Sequence, residues 1–419
     1  MTETIVTLPV AGLPQAGRHA SRKGVVFGAT LGNFLGVTGS VSIPLGVMLV
    51  SIANDQGWSR TEVAGAFTAL SLAQALAYPI AGRIADRFGT RITLLSGFAA
   101  LSVTLLLVGL VPPSFLAFYA LFFLAGFVGV LASTMVLAKL LSQWFIARRG
   151  FWLGLVGGVG NGLAGMVMPG IAGVLATSLG WRQAFATIGL VLLLVGLPIF
   201  FATLREPGKV AEGEDAGPQQ GATFAQAMRS PLFWAIFAAV PVGGGALTGV
   251  FASTVTVLTS QGVTTGSATL AVTIFALVCV VIEPLAGHML DDATRPRRTA
   301  AFFALAAAGL VLLAHAHGPQ MAVLGCVLTG MGLGVEFSVL PYLLARYFGI
   351  RAMGAISGVA YAGALVSNGL SPLLLNAAYD RIGSYAPGLY AVSACMALAL
   401  VVFLMLPRFD DAPYSGTSA

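Results

Sequence analysis

Long apolar runs restrict the fold of this chain more than any other feature. About twelve of them are long enough to cross the roughly 30 Å hydrocarbon layer of a membrane as helices. Only 9% of the 419 residues are charged, whereas a soluble protein has about 25%. A membrane β-barrel would instead show short segments of alternating hydrophobicity. We therefore predict an all-α integral membrane protein with spans near residues 25–52, 62–82, 92–111, 115–145, 150–176, 183–204, 231–259, 267–290, 299–316, 320–346, 352–378 and 387–407.

Basic residues are divided unequally between the two sides that these spans create. If the N-terminus is inside, 17 of the 21 Lys and Arg residues fall in inner segments, and only Arg60, Arg182 and Arg381 fall in outer loops. The positive-inside rule then predicts cytoplasmic termini and a multi-pass protein of the cell inner membrane. Because the net charge of +6 follows from this topology, it gives no reason to expect a nucleic-acid partner.

One long polar stretch divides the predicted spans into two sets of six. Residues 205–230 are rich in Gly, Pro and acidic residues at first, which predicts a flexible cytoplasmic linker. The end of this stretch, ATFAQAMRSPLFW, predicts a short helix on the membrane surface. We expect an N-terminal six-helix bundle over residues 1–204 and a C-terminal six-helix bundle over residues 231–419.

The two halves repeat one another in sequence. YPIAGRIADRFGTRIT (78–93) aligns with EPLAGHMLDDATRPRRT (283–299), so that Pro79 and Pro284 are 205 residues apart. Trp144 and Tyr347 form a similar pair, 203 residues apart. Glycines recur four residues apart in spans 5, 7 and 11, a spacing that lets helices pack closely. Duplicated helical halves are typical of transporters in which one half rocks against the other.

A charged loop motif follows the second span. Residues 82–91 read GRIADRFGTR, which resembles the G-x-x-x-D-R-x-G-x-R loop of the major facilitator superfamily. The resemblance implies two pseudo-symmetric six-helix bundles and gating roles for Gly82, Asp86, Arg87 and Arg91. It implies that Asp86 caps a helix end and pairs with a basic residue when the outside is open. The second copy retains only Gly287 and Asp291-Asp292, so it gives weak support for an equivalent latch there.

Shorter motifs narrow the resemblance. DQGWSR (55–60), QWF (143–145), GWR (180–182) and GVE (334–336) are similar to the bacterial branch of the monocarboxylate and oxalate porter group. That resemblance implies a small organic anion as substrate. Those porters commonly hold the substrate carboxylate with an Arg in span 8, but span 8 of this chain has Glu283 and no basic residue.

Three charged residues lie well inside the predicted spans, away from the span ends, where a charge costs roughly 3 kcal/mol or more. Lys139 in span 4 is either a cationic anchor for an anionic substrate or a structural partner of Glu283 or Glu336. Glu336, near the middle of span 10, is either a proton-coupling site or a buried acid that holds helices in register, because desolvation favours its protonated form. Glu283 is a second candidate for proton coupling, or part of a gate.

Polar uncharged side chains on the expected cavity helices complete the candidate binding site. They are Asn33, Asn161, Tyr342, Tyr361 and Asn368, and each of them binds either substrate or a neighbouring helix.

The sequence thus predicts a monomeric secondary active transporter that takes up a small organic carboxylate with a proton. The alternative is an exchanger or exporter of drug-like or cationic solutes that uses Glu336. The chain shows no phosphate-binding loop, metal-ligand spacing or nucleophile–base set, so we expect no enzyme activity, cofactor or metal. A channel is less compatible with duplicated halves and a latch motif.

Overall fold

Twelve long apolar helices make up the described part of the chain. The computed structural model describes residues 22–145, 148–207, 221–291 and 296–409, without the side chains of Arg60, Thr61, Phe337 and Leu373. The predicted all-α fold with twelve spans is confirmed. We number them span 1 to span 12 in chain order: Arg22–Gln56, Glu62–Phe88, Thr90–Gly109, Phe115–Trp144, Arg149–Leu179, Trp181–Thr203, Pro231–Ser260, Thr265–Asp291, Arg297–Ala314, Pro319–Phe348, Met353–Ile382 and Ala386–Met405.

Local capping signals define the sharp reversals between spans. Span 1 ends at Gly57, whose left-handed backbone (φ 69°) suits a residue without a side chain. Two residues later Ser59 begins the next helix with a capping box. Its backbone N–H donates to Glu62 Oε2 (2.7 Å), and its hydroxyl accepts from the Glu62 N–H (3.1 Å). The short motif DQGWSR is therefore a helix stop followed by a helix start.

Spans 1 and 7 share a local irregularity that reflects the sequence repeat. Each contains five residues of π-helix, Thr38–Ser42 in span 1 and Ala238–Val242 in span 7. In span 1 the Ser40 hydroxyl donates to the carbonyl of Leu35 (2.7 Å). The two segments lie 200 residues apart, close to the interval of the sequence repeat. A third π-helical segment, Leu192–Gly196 in span 6, has no counterpart in the regular α-helix of span 12.

Span 4 is broken near the middle of the membrane. Its first helix, Phe115–Gly129, is followed by a 3₁₀ turn over Val130–Ala132. A second helix then covers Thr134–Trp144. Ser133 lies between them with an extended backbone (φ −86°, ψ 163°), and its hydroxyl does not cap the second helix. The lower part of span 4 is therefore a separate helical segment of 11 residues.

The first and last six spans pack against one another at one end of the bundle. This end carries the basic loops, and we call it the inner end and the opposite one the outer end. Gly82 in span 2 packs against the backbone of Gly354 in span 11, and Gly150 in span 5 packs against Gly287 in span 8. A side chain at any of these four positions would overlap the opposite backbone. The close packing expected from the glycine spacing is confirmed for spans 5 and 11.

The segment between spans 6 and 7 is attached at both of its described ends. On one side, the Glu206 carboxylate accepts from the backbone of Thr90 (2.5 Å) and Arg91 (3.1 Å), at the start of span 3. On the other side, the Ala222 N–H donates to the carbonyl of Phe348 (2.8 Å), at the end of span 10. The expected short helix is present as Phe224–Arg229.

Candidate functional site at the interface of the two halves

Asp86 joins the two halves at the inner end. Its Oδ1 accepts from the Gly354 N–H (2.9 Å) and its Oδ2 from the Ala355 N–H (2.8 Å), at the start of span 11. Lys139 forms an ion pair with the same carboxylate and donates to the carbonyl of Ala85 (3.0 Å). A carboxylate is favoured here because unpaired N–H groups make a helix N-terminus positive. We call Asp86, Lys139, Gly354 and Ala355 the first latch.

The other members of the loop motif lie around the first latch within their own half. Gly82 provides the close approach to span 11, described above. Arg87 is exposed and lies over the ring of Phe88, 5.2 Å from its centroid. Arg91 donates to the carbonyl of Phe201 (3.0 Å) and lies 4.9 Å from the centroid of the Phe201 ring. These contacts of Arg87 and Arg91 all lie within the first half.

A second latch occupies the corresponding place in the other half. Asp291 Oδ1 accepts from the Gly150 N–H (2.7 Å) and Oδ2 from the Phe151 N–H (2.9 Å), at the start of span 5. The weak expectation for this latch is therefore corrected. The geometry requires only a carboxylate at the end of one helix and free N–H groups at the start of another, so it survives the loss of the remaining motif residues.

Tyr342 takes the position in the second latch that Lys139 has in the first. Its hydroxyl donates to the carbonyl of Leu290 (3.0 Å), the residue before Asp291, just as Lys139 donates to Ala85 before Asp86. Lys139 and Tyr342 are 203 residues apart, the same interval as other repeat pairs. Each was predicted either to bind substrate or to make a structural contact. In this conformation both make structural contacts at the inner end, Lys139 with Asp86 and Tyr342 with the neighbouring span 8.

Two tyrosines form part of a floor above the latches. Tyr78 in span 2 and Tyr361 in span 11 stack across the interface, with ring centroids 5.4 Å apart and planes at 17°. Tyr361 also lies within electrostatic range of Glu283 and Glu336. We call Tyr78, Tyr361, Glu283 and Glu336 the cavity floor.

Two of the predicted asparagines lie on the outer side of this floor. Asn161 is half-buried, one helical turn beyond Gly157 and Gly158 on the same face of span 5. Asn368 is also half-buried, two turns beyond Tyr361 on span 11. Both asparagines therefore lie farther toward the outer end than the floor residues of their own spans.

The two acids of the floor are buried in different surroundings. Glu336 is 6% exposed, its Oε2 has no hydrogen-bond partner among the described residues, and its carboxyl lies against Gly244 of the same half. Glu283 is 4% exposed, its Oε1 is likewise unpartnered, and its carboxyl lies against Gly157 and Gly158 of the opposite half. The ion pairs in the described part of the chain are Lys139–Asp86 and Arg182–Asp55, so neither floor acid is paired with a cation.

Asn33 connects three spans beside a small cavity. Its Nδ2 donates to the carbonyl of Val156 in span 5 (3.1 Å), and its Oδ1 accepts from the Thr134 hydroxyl in span 4 (2.7 Å). Apolar residues of spans 4 and 5, such as Leu137 and Leu141, line most of this cavity, and Pro341 of span 10 lines it from the other half. Asn33 is 4% exposed, so in this conformation it joins helices and faces only this cavity.

Sequence reasoning missed the break at Ser133 and the roles of Asp291 and Tyr342. The Ser-Thr pair inside an apolar run is typical of a helix start and could have indicated the break. The repeat interval could have indicated the second latch, because Asp291 lies 205 residues after Asp86. No sequence signal separates Glu283 from Glu336, since their difference lies in which half provides the facing glycine.

Comparison with known proteins agrees with this architecture. The Major Facilitator Superfamily model matches residues 26–372 and 248–419. An oxalate:formate antiporter of Oxalobacter formigenes is 30% identical over 68% of this chain and 66% of its own length. A probable nitrate/nitrite transporter, NarK2 of Mycobacterium tuberculosis, is 26% identical over 85% of this chain and 89% of its own length.

Solved structures show the same fold. The proton:xylose symporter XylE superimposes with a TM-score of 0.72 at 16% identity, covering 92% of this chain and 96% of that one. The human organic anion transporter MFSD10 gives a TM-score of 0.66 at 16% identity, covering 90% and 98%. The chain therefore belongs to the Major Facilitator Superfamily and is a membrane transporter, not an enzyme.

Proposed function

We propose that this protein is a proton-coupled symporter of the cell inner membrane that takes up a small organic carboxylate by alternating access. It works as a single chain with both termini in the cytoplasm, so the inner end faces the cytoplasm. The named relatives support an anionic substrate, since they include the oxalate:formate antiporter and the probable nitrate/nitrite transporter. The predicted residues Asn161, Tyr361 and Asn368 provide hydrogen-bond donors for a carboxylate near the floor.

The observation that carries the proton coupling is the presence of two buried carboxyls without a cation. An ionised carboxyl that is neither paired nor hydrogen-bonded is costly at this depth, so Glu336 is protonated at rest. A protonated carboxyl can donate a hydrogen bond to a substrate carboxylate, and such charge-assisted bonds are short and strong. The proton thus replaces the arginine that related porters use, and anion and proton bind together.

Lys139 has a different role in this mechanism from the substrate anchor that the sequence suggested. We propose that it holds Asp86 while the inner end is closed, and that the two latches gate the cytoplasmic side. Both latches must then form when the inner end closes, and both must break when it opens. Substrate released to the cytoplasm leaves after both have opened.

The test is Glu336→Gln, which mimics the protonated acid. Because substrate and proton must alter each other's affinity equally, we expect this variant to bind and exchange substrate but to lose proton-driven accumulation. Counterflow and net uptake in proteoliposomes measure the two activities separately. Asp380→Asn, at an exposed position of the outer end, is the matched control. Accumulation by Glu336→Gln at the rate of the unaltered protein would contradict the assignment.

A second candidate function is transport of a drug-like or cationic solute. The same observation favours it, because two acids and two stacked tyrosines without a cation also suit a positively charged ligand. A thermal-shift screen with matched carboxylic acids and amines distinguishes the two, since a ligand of the native state raises apparent stability. Stabilisation by amines alone, lost in Glu336→Gln, would replace the carboxylate proposal.

A further inference from the structure

Glu283 lies at an interface that must separate during transport, whereas Glu336 does not. The carboxyl of Glu283 belongs to span 8 and lies against Gly157 and Gly158 of span 5, in the other half. The carboxyl of Glu336 lies against Gly244, and both residues belong to the second half. When one half rocks against the other, Glu336 keeps its neighbour and Glu283 loses its neighbours.

Close packing seals Glu283 from both sides while the inner end is closed. On the outer side, Gly162 of span 5 packs against Val280 of span 8. On the inner side, Gly150 packs against Gly287, and Asp291 caps span 5 beyond them. Since the carboxyl is only 4% exposed, it gains free contact with water when spans 5 and 8 separate at the inner end.

The missing partner decides which form of Glu283 fits the closed interface. Its Oε1 has no hydrogen-bond donor among the described residues, and it lies against glycines that bring no polar side chain. A buried, unpaired carboxylate is strongly disfavoured relative to the neutral acid. We infer that the inner end closes only when Glu283 is protonated, so that Glu283 makes the inner gate a sensor of cytoplasmic pH.

The proton on Glu283 is distinct from the one that accompanies substrate. Because the closed interface seals the carboxyl, its proton is taken up and released while the inner end is open, and therefore on the cytoplasmic side. Such a proton makes no net crossing. Acidification of the cytoplasm favours the closed inner end and slows uptake. This inference requires alternating access, but it is independent of the identity of the substrate.

Other titratable groups near Glu283 could also make closure depend on pH, so their effects must be distinguished from that of Glu283. Cys279 and Tyr361 lie within electrostatic range of Glu283 and also of Glu336, and Tyr78 stacks on Tyr361. His288 lies on the exposed side of span 8, where its ring approaches that of Phe151. Asp291 of the second latch lies on the inner side of Gly287, and Arg149 lies within electrostatic range of Asp291.

The experiment measures closure of the inner end without substrate. Spin labels at Lys23→Cys and Arg298→Cys, both exposed at the inner end of opposite halves, report its opening by pulsed electron resonance. They are placed in the full chain with Cys279, Cys326 and Cys395 replaced by Ala. We expect the open-to-closed ratio to fall with acidification, by up to about tenfold per pH unit, the limit for one proton.

Four variants decide whether Glu283 is responsible. Glu283→Gln should stay closed at every pH, whereas His288→Gln and Glu336→Gln should retain the pH dependence. Gly158→Ala should displace the carboxyl and favour the open state even in acid, which provides a second test if Glu283→Gln folds poorly. A pH-independent ratio in the unaltered protein, or a pH dependence that survives in Glu283→Gln, would overturn the inference. Loss of the dependence in His288→Gln would assign the sensor to the imidazole instead.

Discussion

The second latch gives the sharpest prediction, because no intact motif marks it in the sequence. Asp291 holds the start of span 5 with two charge-assisted hydrogen bonds, 2.7 and 2.9 Å long. Asp291→Asn keeps one acceptor oxygen and turns an amide group toward the other N–H. It should therefore lose at least one bond of about 1.5–3 kcal/mol and the favourable charge at a helix N-terminus, about 0.3–1 kcal/mol.

This loss falls on the closed inner end alone, because only that state brings the two helices together. A cost of about 2–4 kcal/mol corresponds to an increase of about 30- to 1000-fold in the open-to-closed ratio. Asp86→Asn should have a larger effect, because Lys139 is then left without its ion-pair partner and is buried while the inner end is closed, whereas opening lets its charge reach water. Breaking a buried pair in this way costs about 3–5 kcal/mol. We therefore predict a larger open-to-closed ratio for Asp86→Asn than for Asp291→Asn.

The spin-label pair at Lys23 and Arg298 measures both ratios directly. Asp380→Asn, the same chemical change at an exposed position of the outer end, should leave the ratio unchanged. The reasoning would be refuted by an Asp291→Asn variant that closes as fully as the unaltered protein. It would also be refuted if the order of the two latch variants were reversed.

Two further substitutions test single contacts. Lys139→Gln should open the inner end without changing substrate affinity in the outward-facing state, and calorimetry on the folded variant measures that affinity; a fall of tenfold or more would restore Lys139 as a substrate anchor. Gly244→Ala should displace the Glu336 carboxyl, at a cost of about 1–3 kcal/mol typical of overpacking, and should impair accumulation in proteoliposomes. The control is Gly170→Ala in span 5, where an added methyl group meets open space, and equal effects of the two substitutions would contradict the contact.

The fold could be predicted from the sequence because a membrane permits few kinds of secondary structure. Apolar runs of sufficient length must be helices, and the repeat interval relates one half to the other. The positions of Pro79 and Pro284 were enough to align the helices that carry the latches.

The candidate site was harder to predict because the role of a charged residue depends on what faces it. Lys139 and Glu336 were both recognised as unusual, yet only the packing shows that Lys139 meets Asp86 while Glu336 meets a glycine. Tyr342 looked like a cavity residue from its helix alone, but its depth within span 10 brings it to Leu290 at the inner end. Sequence distance along a helix determines depth well, but it does not identify the neighbours at that depth.

The break in span 4 leaves its lower part as a short helix that can tilt separately from the helix above it. The segment Thr134–Trp144 is a rigid rod of roughly 16 Å, at 1.5 Å per residue. Its upper tip is bound through Thr134 to Asn33, its lower tip is bound through Trp144 to the carbonyl of Arg205 (2.6 Å), and Lys139 lies at its midpoint. Because Ser133 interrupts the helix above it, a tilt of this segment would move Lys139 and, through the ion pair, Asp86, which binds span 11 across the interface.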